Sequence, residues 1–393
     1  MTDYKQKVQE RVDAILPELI ALSDDIWHHP EYNFQEFHAC QAMSEALRHY
    51  GFHVTTGVGG ITTSVQADYD SGKPGPHIGV FGEFDAVPGM GHSCGHNLMC
   101  AMSVGAGEAI RSVIDELGGK VTVFGCPAEE GGGGKIIMLD KGVFRGLDIG
   151  MLLHSATDTV VNDKSFSKTM LKVHFYGKRS TAATFPEEGI NALLPVIELF
   201  NIVHAMRLEL PERGNITGVI LEGGESSSYI PDHCSAEFTV RSFSMKTKKK
   251  LLKRFLDTCE HLAAITNTRF EYEQLSHPYE DIRNNPVIED LLSANFTALG
   301  EEVKPRSTIV DIGSTDMGNI THELPALQSY VGVVPHLRNH SPEFQAAVGS
   351  PAGHKTIAVG SKAMAMTAVD VLTHPEYLDQ IRAAFREMKA KFE

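Results

Sequence analysis

Residues 77–101 read HIGVFGEFDAVPGMGHSCGHNLMCA. They open as a short apolar run that ends on two carboxylates, Glu83 and Asp85. They close by entering LMCAMSVGAGEAIRSVIDEL, 98–117, whose apolar residues carry helical spacing. Between the two lies a glycine-rich turn that sets His92, Cys94 and His96 within five positions. A strand followed by a helix belongs to an α/β layered domain. The turn is either ordinary chain reversal or a place where a thiolate and an imidazole meet a metal.

Working outward, the same alternation continues on both sides. A helix is predicted to about residue 23 and another over 36–50, followed by strand-like ITTSVQADY at 61–69. Downstream, KVTVFGCPAEEGGGGK at 120–135 is a strand ending in a glycine-rich loop, and LDIGMLLHSA at 147–156 is an apolar run ending near a histidine. The polar residues of these strands gather at their C-terminal ends, the edge where open parallel sheets bind ligands. From about residue 167 the order becomes strand, helix, strand, strand, helix, strand, running from SKTMLKVHFYGK to RFEYEQL. That order predicts an inserted α+β sandwich over 167–276. The layered α/β domain, with a mixed, mainly parallel sheet, then comprises 1–166 and 277–393, with helices near 286–299 and 353–372.

A chain of 393 residues exceeds what one compact core usually supports, which agrees with two domains. Hydrophobic residues at 42% and charged residues at 22% are those of a globular protein. A formal charge of -15 argues against a nucleic-acid surface, and the one basic run, KTKKK at 246–250, reads as a solvated helix face. No apolar stretch is long enough to span a bilayer. The start of the chain places Val8, Val12, Ile15, Leu16 and Leu19 as an amphipathic helix does, without the pattern of a signal peptide. Six scattered cysteines fit reduced thiols in the cytoplasm.

Four short stretches hold side chains able to bind a metal: Cys94 with His96, Glu129 with Glu130, His154, and His340 in RNHSPEF. Two ions about 3.5–4 Å apart need a bridging group and about two further ligands each. Cys94, His96, Glu130, His154 and His340 supply such a set, with the thiolate able to bridge. Glu129, beside a ligand but pointing elsewhere, is then placed to take a proton from a water. Taken singly, each piece has a plainer reading: a structural turn, a surface acid pair, a core histidine for His154, His92 or His354. Their recurrence at successive strand ends favours a site.

Together GEFDAVPGMGHSCGHN, CPAEEGGGGK, LLHSA, GINAL, GSTDMGN and NHSPEF resemble the metal-dependent amidohydrolases, an aminoacylase-like metallopeptidase family that includes hippurate hydrolase. GSTDMGN and PAEEGGGGK lean toward its p-aminobenzoyl-glutamate hydrolase and β-alanyl-dipeptidase branch, and IWHHPEYNFQE near the start extends the resemblance over nearly the whole chain. It implies two divalent metal ions per chain, zinc first with manganese or cobalt as alternatives. It implies an inserted domain that forms a homodimer and closes over the substrate. Position by position it makes Cys94, His96, Glu130, His154 and His340 ligands and Glu129 the general base. Asp85 takes the place of an acid that orients a metal-site group, with Glu83 as a second candidate for that role.

The inserted domain departs from that pattern. GKRSTAAT has Thr181 where the family carries a histidine thought to reach the substrate carbonyl across the dimer. Ser228, in SSYIPD, stands in place of an asparagine. Arg241, in FTVRSF, is a candidate partner for a substrate carboxylate, against the plainer reading of a structural ion pair. The reading that follows is an amidohydrolase acting on an N-acyl amino acid, aryl-glutamate or small dipeptide-like substrate. Two rivals stand beside it: a protein that keeps the fold and metals but binds or regulates, and a thiol hydrolase with Cys94 as nucleophile and His96 as base.

Overall fold

The structure is a computed structural model, and it describes residues 3–162, 164–207, 214–305 and 313–392. The chain forms two compact units, one running to Lys164 and resuming at Ile282, the other Ser165–Asp281.

The larger unit is built on a six-stranded mixed sheet in the order His53–Thr56, Val65–Asp70, Lys120–Cys126, His77–Glu83, Ile149–Ala156, Ala326–Gly332. The last four are parallel, and the first two run antiparallel at one edge. Central strands buried on both faces read as continuous apolar runs, which is why VTVFGC and IGMLLHSA lack alternation. The helix His96–Leu117 lies against the central strands, and Tyr4–His28 and Pro351–Thr373 pack on it and on each other. Its sides are lined by small residues such as Ala101, Gly105, Ala106 and Ala109, so neighbouring elements approach closely and almost its whole length is buried.

The first helix continues to His28, five residues beyond the predicted end, because Ile26 still faces the core. Among the elements without a counterpart in the sequence reading are the strand Ala326–Gly332 and the closing helix Pro375–Phe392.

The smaller unit is an antiparallel sheet in the order Arg269–Gln274, Ser167–Tyr176, His233–Ser242, Asn215–Glu222. Ser167–Tyr176 alternates buried and half-buried positions residue by residue, the mark of a sheet covered on one face. Leu171, Val173 and Phe175 meet Leu199 and Val203 of the helix Leu193–Arg207 and Phe255, Cys259 and Leu262 of Met245–Thr266 in one core. Lys248 departs from the solvated face predicted for KTKKK. It is buried, and its ammonium donates to the Tyr279 carbonyl at 3.1 Å.

Candidate metal centre

The parallel strands carry the candidate residues of the larger unit to one end of the sheet. Glu83 closes its strand, Asp85 follows it, Glu129 and Glu130 follow Cys126, His154 lies near the end of its strand, and His340 lies beyond Gly332. Gly95 brings the turn close enough. It has φ +80°, and a Cβ there would sit 2.1 Å from Ser155 Oγ, so a residue with a side chain would hold Cys94 and His96 away from His154. His340 enters from a left-handed residue of its own, φ 60°, with its amide donating to the Ser93 carbonyl at 2.8 Å.

Three groups of three potential ligand atoms result, the atoms of each within 4.8 Å of one another: Cys94, His96, His154; Cys94, Glu130, His340; and Glu83, His96, Glu129. Cys94 belongs to the first two. Cys94 Sγ is 3.4 Å from His154 Nε2, and His340 Nε2 is 3.3 Å from Glu130 Oε1. The outer contacts settle which ring nitrogen faces inward. His154 Nδ1 donates to the Ser155 carbonyl at 2.7 Å and His96 Nδ1 to Asp85 Oδ1 at 2.9 Å, leaving Nε2 of each ring with its lone pair toward the cluster. Asp85 Oδ2 also accepts the Glu130 amide at 2.9 Å, so one carboxylate orients a ring and anchors the backbone of a second candidate ligand.

The donor set fits divalent ions. Among the described residues, Glu83 Oε2, His96 Nε2 and Glu130 Oε1 are buried atoms with neighbours at 3.3 Å but no partner in hydrogen-bond geometry, a costly state unless something else satisfies them. Burial and Glu130 push the Cys94 thiol up, yet His154 and His96 overcome both and bring it down to about 6. The His340 imidazole, close beside Cys94 and Glu130, is pushed up to about 11. Burial drives the Glu129 carboxyl well above the ordinary range, with Glu83, Glu130 and Asp316 adding to it.

A buried triad beside this cluster adds two residues, Lys135 and Asp316, that received no role in the sequence reading, to Glu83, which was a candidate for orienting a metal-site group. The Lys135 ammonium touches Glu83 Oε1 and, at 2.5 Å, Asp316 Oδ1, and all three side chains are buried. The one signal in the sequence was a lysine closing a glycine run inside a motif, with nothing to show that its partners lie 52 and 181 positions away. His92 is a core histidine held at about 3 by burial and His96, and His354 Nε2 pairs with Asp24 Oδ1 at 2.8 Å.

In the smaller unit, Ser180–Thr181 pairs with Tyr229–Ile230, and the Ala182 amide donates to the Ser228 carbonyl at 3.0 Å. Thr181 and Ser228 are therefore neighbours on one exposed ribbon. Arg241 lies on the strand His233–Ser242 with Nη1 3.5 Å from Thr217 Oγ1, a contact to a neutral hydroxyl. His174 Nδ1 lies 3.0 Å from His233 Nε2, while Lys178 is exposed.

Fold and cluster define a class, the metal-dependent amidohydrolases. The match to Peptidase family M20/M25/M40 extends over residues 64–368, and the chain belongs to that family. It is similar to the Xaa-Arg dipeptidase of Homo sapiens, 30% identical with 97% of this chain and 92% of that protein aligned. It is also similar to one of the two p-aminobenzoyl-glutamate hydrolase polypeptides of Escherichia coli, 24% identical over 99% of this chain and 96% of that one. A Bacillus subtilis protein described as a dinuclear metal binding peptidase shares the fold, with a TM-score of 0.73 at 20% identity over 92% of this chain and 99% of that one.

Proposed function

We propose that this protein hydrolyses the amide bond of a small substrate, an N-acyl amino acid, aryl-glutamate or dipeptide, at a two-ion centre held by Cys94, His96, Glu130, His154 and His340. The observation that carries the reading is the pair of three-residue groups sharing the Cys94 sulfur. Thiolate and imidazole favour zinc, and the carboxylate and imidazoles also accept manganese or cobalt. When bound, the ions polarise the substrate carbonyl and lower the pKa of an attacking water. Glu129 takes the proton of that water and returns it to the leaving amine, and its burial keeps a carboxyl there basic enough for the task. Asp85 holds His96 in the tautomer that presents Nε2.

The smaller unit supports a homodimer as part of the same proposal. Asn215–Glu222 is an outer strand that exposes Val219, Ile220 and Leu221, and the helix Leu193–Arg207 exposes Leu194 and Ile197. An unpaired apolar edge of this kind is a pairing surface. A cytoplasmic setting fits six cysteines that are all free thiols. No helix of the described residues is long and apolar enough to cross a membrane.

The test is metal content beside turnover on a panel of Xaa-Arg dipeptides, p-aminobenzoyl-glutamate and N-acyl amino acids. Glu129→Gln should keep close to two ions per chain and lose about a hundredfold to ten-thousandfold in turnover. Loss of ions together with activity would make Glu129 a ligand. Activity that survives chelation and is lost on alkylation of Cys94 would make the protein a thiol hydrolase.

A further inference from the structure

We propose that Asp25, His29 and His38 form a third cation site that takes a zinc-class ion and uses none of the residues of the Cys94 cluster. Asp25 lies in the last turn of Tyr4–His28 and His29 caps that helix, so their spacing of four puts both side chains on one face. His38 enters from the first turn of the next helix, Phe37–His49. Asp25 Oδ2 is 2.7 Å from His38 Nε2, and Asp25 Oδ1 is 3.3 Å from His29 Nδ1. The two imidazoles lie against each other with centroids 4.2 Å apart and planes at 38°. One ligand atom from each of the three lies within 4.8 Å of the other two.

Two imidazoles stacked on a single carboxylate are a poor arrangement for two ion pairs, because protonating both rings sets like charges in contact. His29 Nδ1 donates to the Asp25 carbonyl at 2.7 Å and His38 Nε2 to the Asp25 carboxylate, so an incoming ion takes the place of these ring protons and meets two nitrogens beside an oxygen donor. Two imidazoles and a carboxylate, with water in a fourth position, is a zinc set. The residues are partly exposed, so an ion and its water can enter without displacing the core.

The loop between the two helices gives the site a consequence. Asn33 and Phe34 both hold left-handed conformations, φ 56° and 65°, which a bulky residue such as Phe34 does not adopt cheaply. The Glu31 carbonyl accepts the Ala86 amide at 2.7 Å, one residue past Asp85. The Phe34 ring occupies the space a Cβ on Gly132 would enter, within 2.4 Å, in the loop that carries Glu129 and Glu130. An ion joining the two helix ends therefore clamps a strained loop that packs directly on the candidate catalytic loop.

The test titrates zinc alone into the full chain, purified with whatever ions it holds, in competition with a chromophoric chelator. The wild type should take up one more ion per chain than His29→Ala or His38→Ala, or bind that ion about tenfold or more tightly. Both histidines are exposed at helix ends, and circular dichroism checks that the variants fold. The comparison is a difference between wild type and variants, so it stands whether or not the Cys94 cluster proves to hold ions. Equal stoichiometry and affinity in all three proteins overturns the proposal. So does a half-saturation weaker than about 1 mM, which marks adventitious binding.

Discussion

Replacing Lys135 with methionine tests how the buried charges beside Glu129 are balanced. Lys135, Glu83 and Asp316 are all buried, and the ammonium contacts an oxygen of each carboxylate. Methionine keeps much of the stem and removes the charge, leaving two carboxylates where burial disfavours their ionised form. Removing one partner of a buried pair costs about 3–5 kcal/mol. The geometry argues against doubling that figure. Asp316 Oδ2 keeps the backbone amide of residue 135 at 2.9 Å, so one of the two carboxylates retains a donor. The expected loss is therefore about 3–5 kcal/mol for the larger unit. The chain has one tryptophan, Trp27, which belongs to that unit and donates from its indole to the Gln345 carbonyl at 3.0 Å. Urea unfolding of chelator-treated protein, followed by tryptophan fluorescence, thus reads the larger unit alone. Adding Asp316→Leu to Lys135→Met should recover part of the loss, because an apolar side chain then replaces a stranded charge. A loss below about 1 kcal/mol, or a double variant that simply adds two losses, would show that these charges are not balanced through the lysine.

Gly95→Ala should destabilise the larger unit by about 2–4 kcal/mol, from a left-handed residue with a side chain and its overlap with Ser155. It should also lower metal content, and an unchanged melting temperature would contradict the close approach at Ser155. Glu289 gives a pH signature, since burial, with Asp290 adding, raises its carboxyl to about 7. A folded-state pKa above the unfolded value means that its contribution is present below the ordinary 4.5 and is lost as pH rises through about 7. Glu289→Gln should therefore be more stable than wild type at pH 8, by up to about 3 kcal/mol, with the difference closing near pH 4.5. A difference independent of pH would count against it. Thr181→His should raise turnover on a generic N-acyl amino acid, by up to about a hundredfold if a lost oxyanion donor is restored, with metal content unchanged. No gain would end the idea of a missing donor.

The cluster was legible because its members sit beside strongly patterned strands. VFGEFD, VTVFGCPAEE and MLLHS each combine an apolar run with a polar end, so periodicity located the strands and chemistry selected the residues. The strand Ala326–Gly332 escaped because ALQSYVG buries Gln328 and Ser329, whose polar atoms find partners only in the folded chain. Ser329 Oγ donates to the Val161 carbonyl at 2.6 Å, across 168 positions. Lys135 and Lys248 escaped for the same reason, since a lysine in a sequence reads as solvated until its distant acceptors are known.

The order of strands in the sheet has a consequence for how the protein is made. Ile149–Ala156 is followed along the chain by Ser165–Asp281, while its parallel neighbour Ala326–Gly332 is encoded far downstream. At roughly 5–20 residues per second, a ribosome delivers His340 some ten to forty seconds after His154. Throughout that interval the nascent chain carries Cys94, His96 and His154 without the segment that completes the second group of candidate ligands, and the outer edge of Ile149–Ala156 stands unpaired. Ser165–Asp281 needs no such wait, because the four strands of its sheet pair with one another. The candidate centre is thus only half present until translation has passed residue 340.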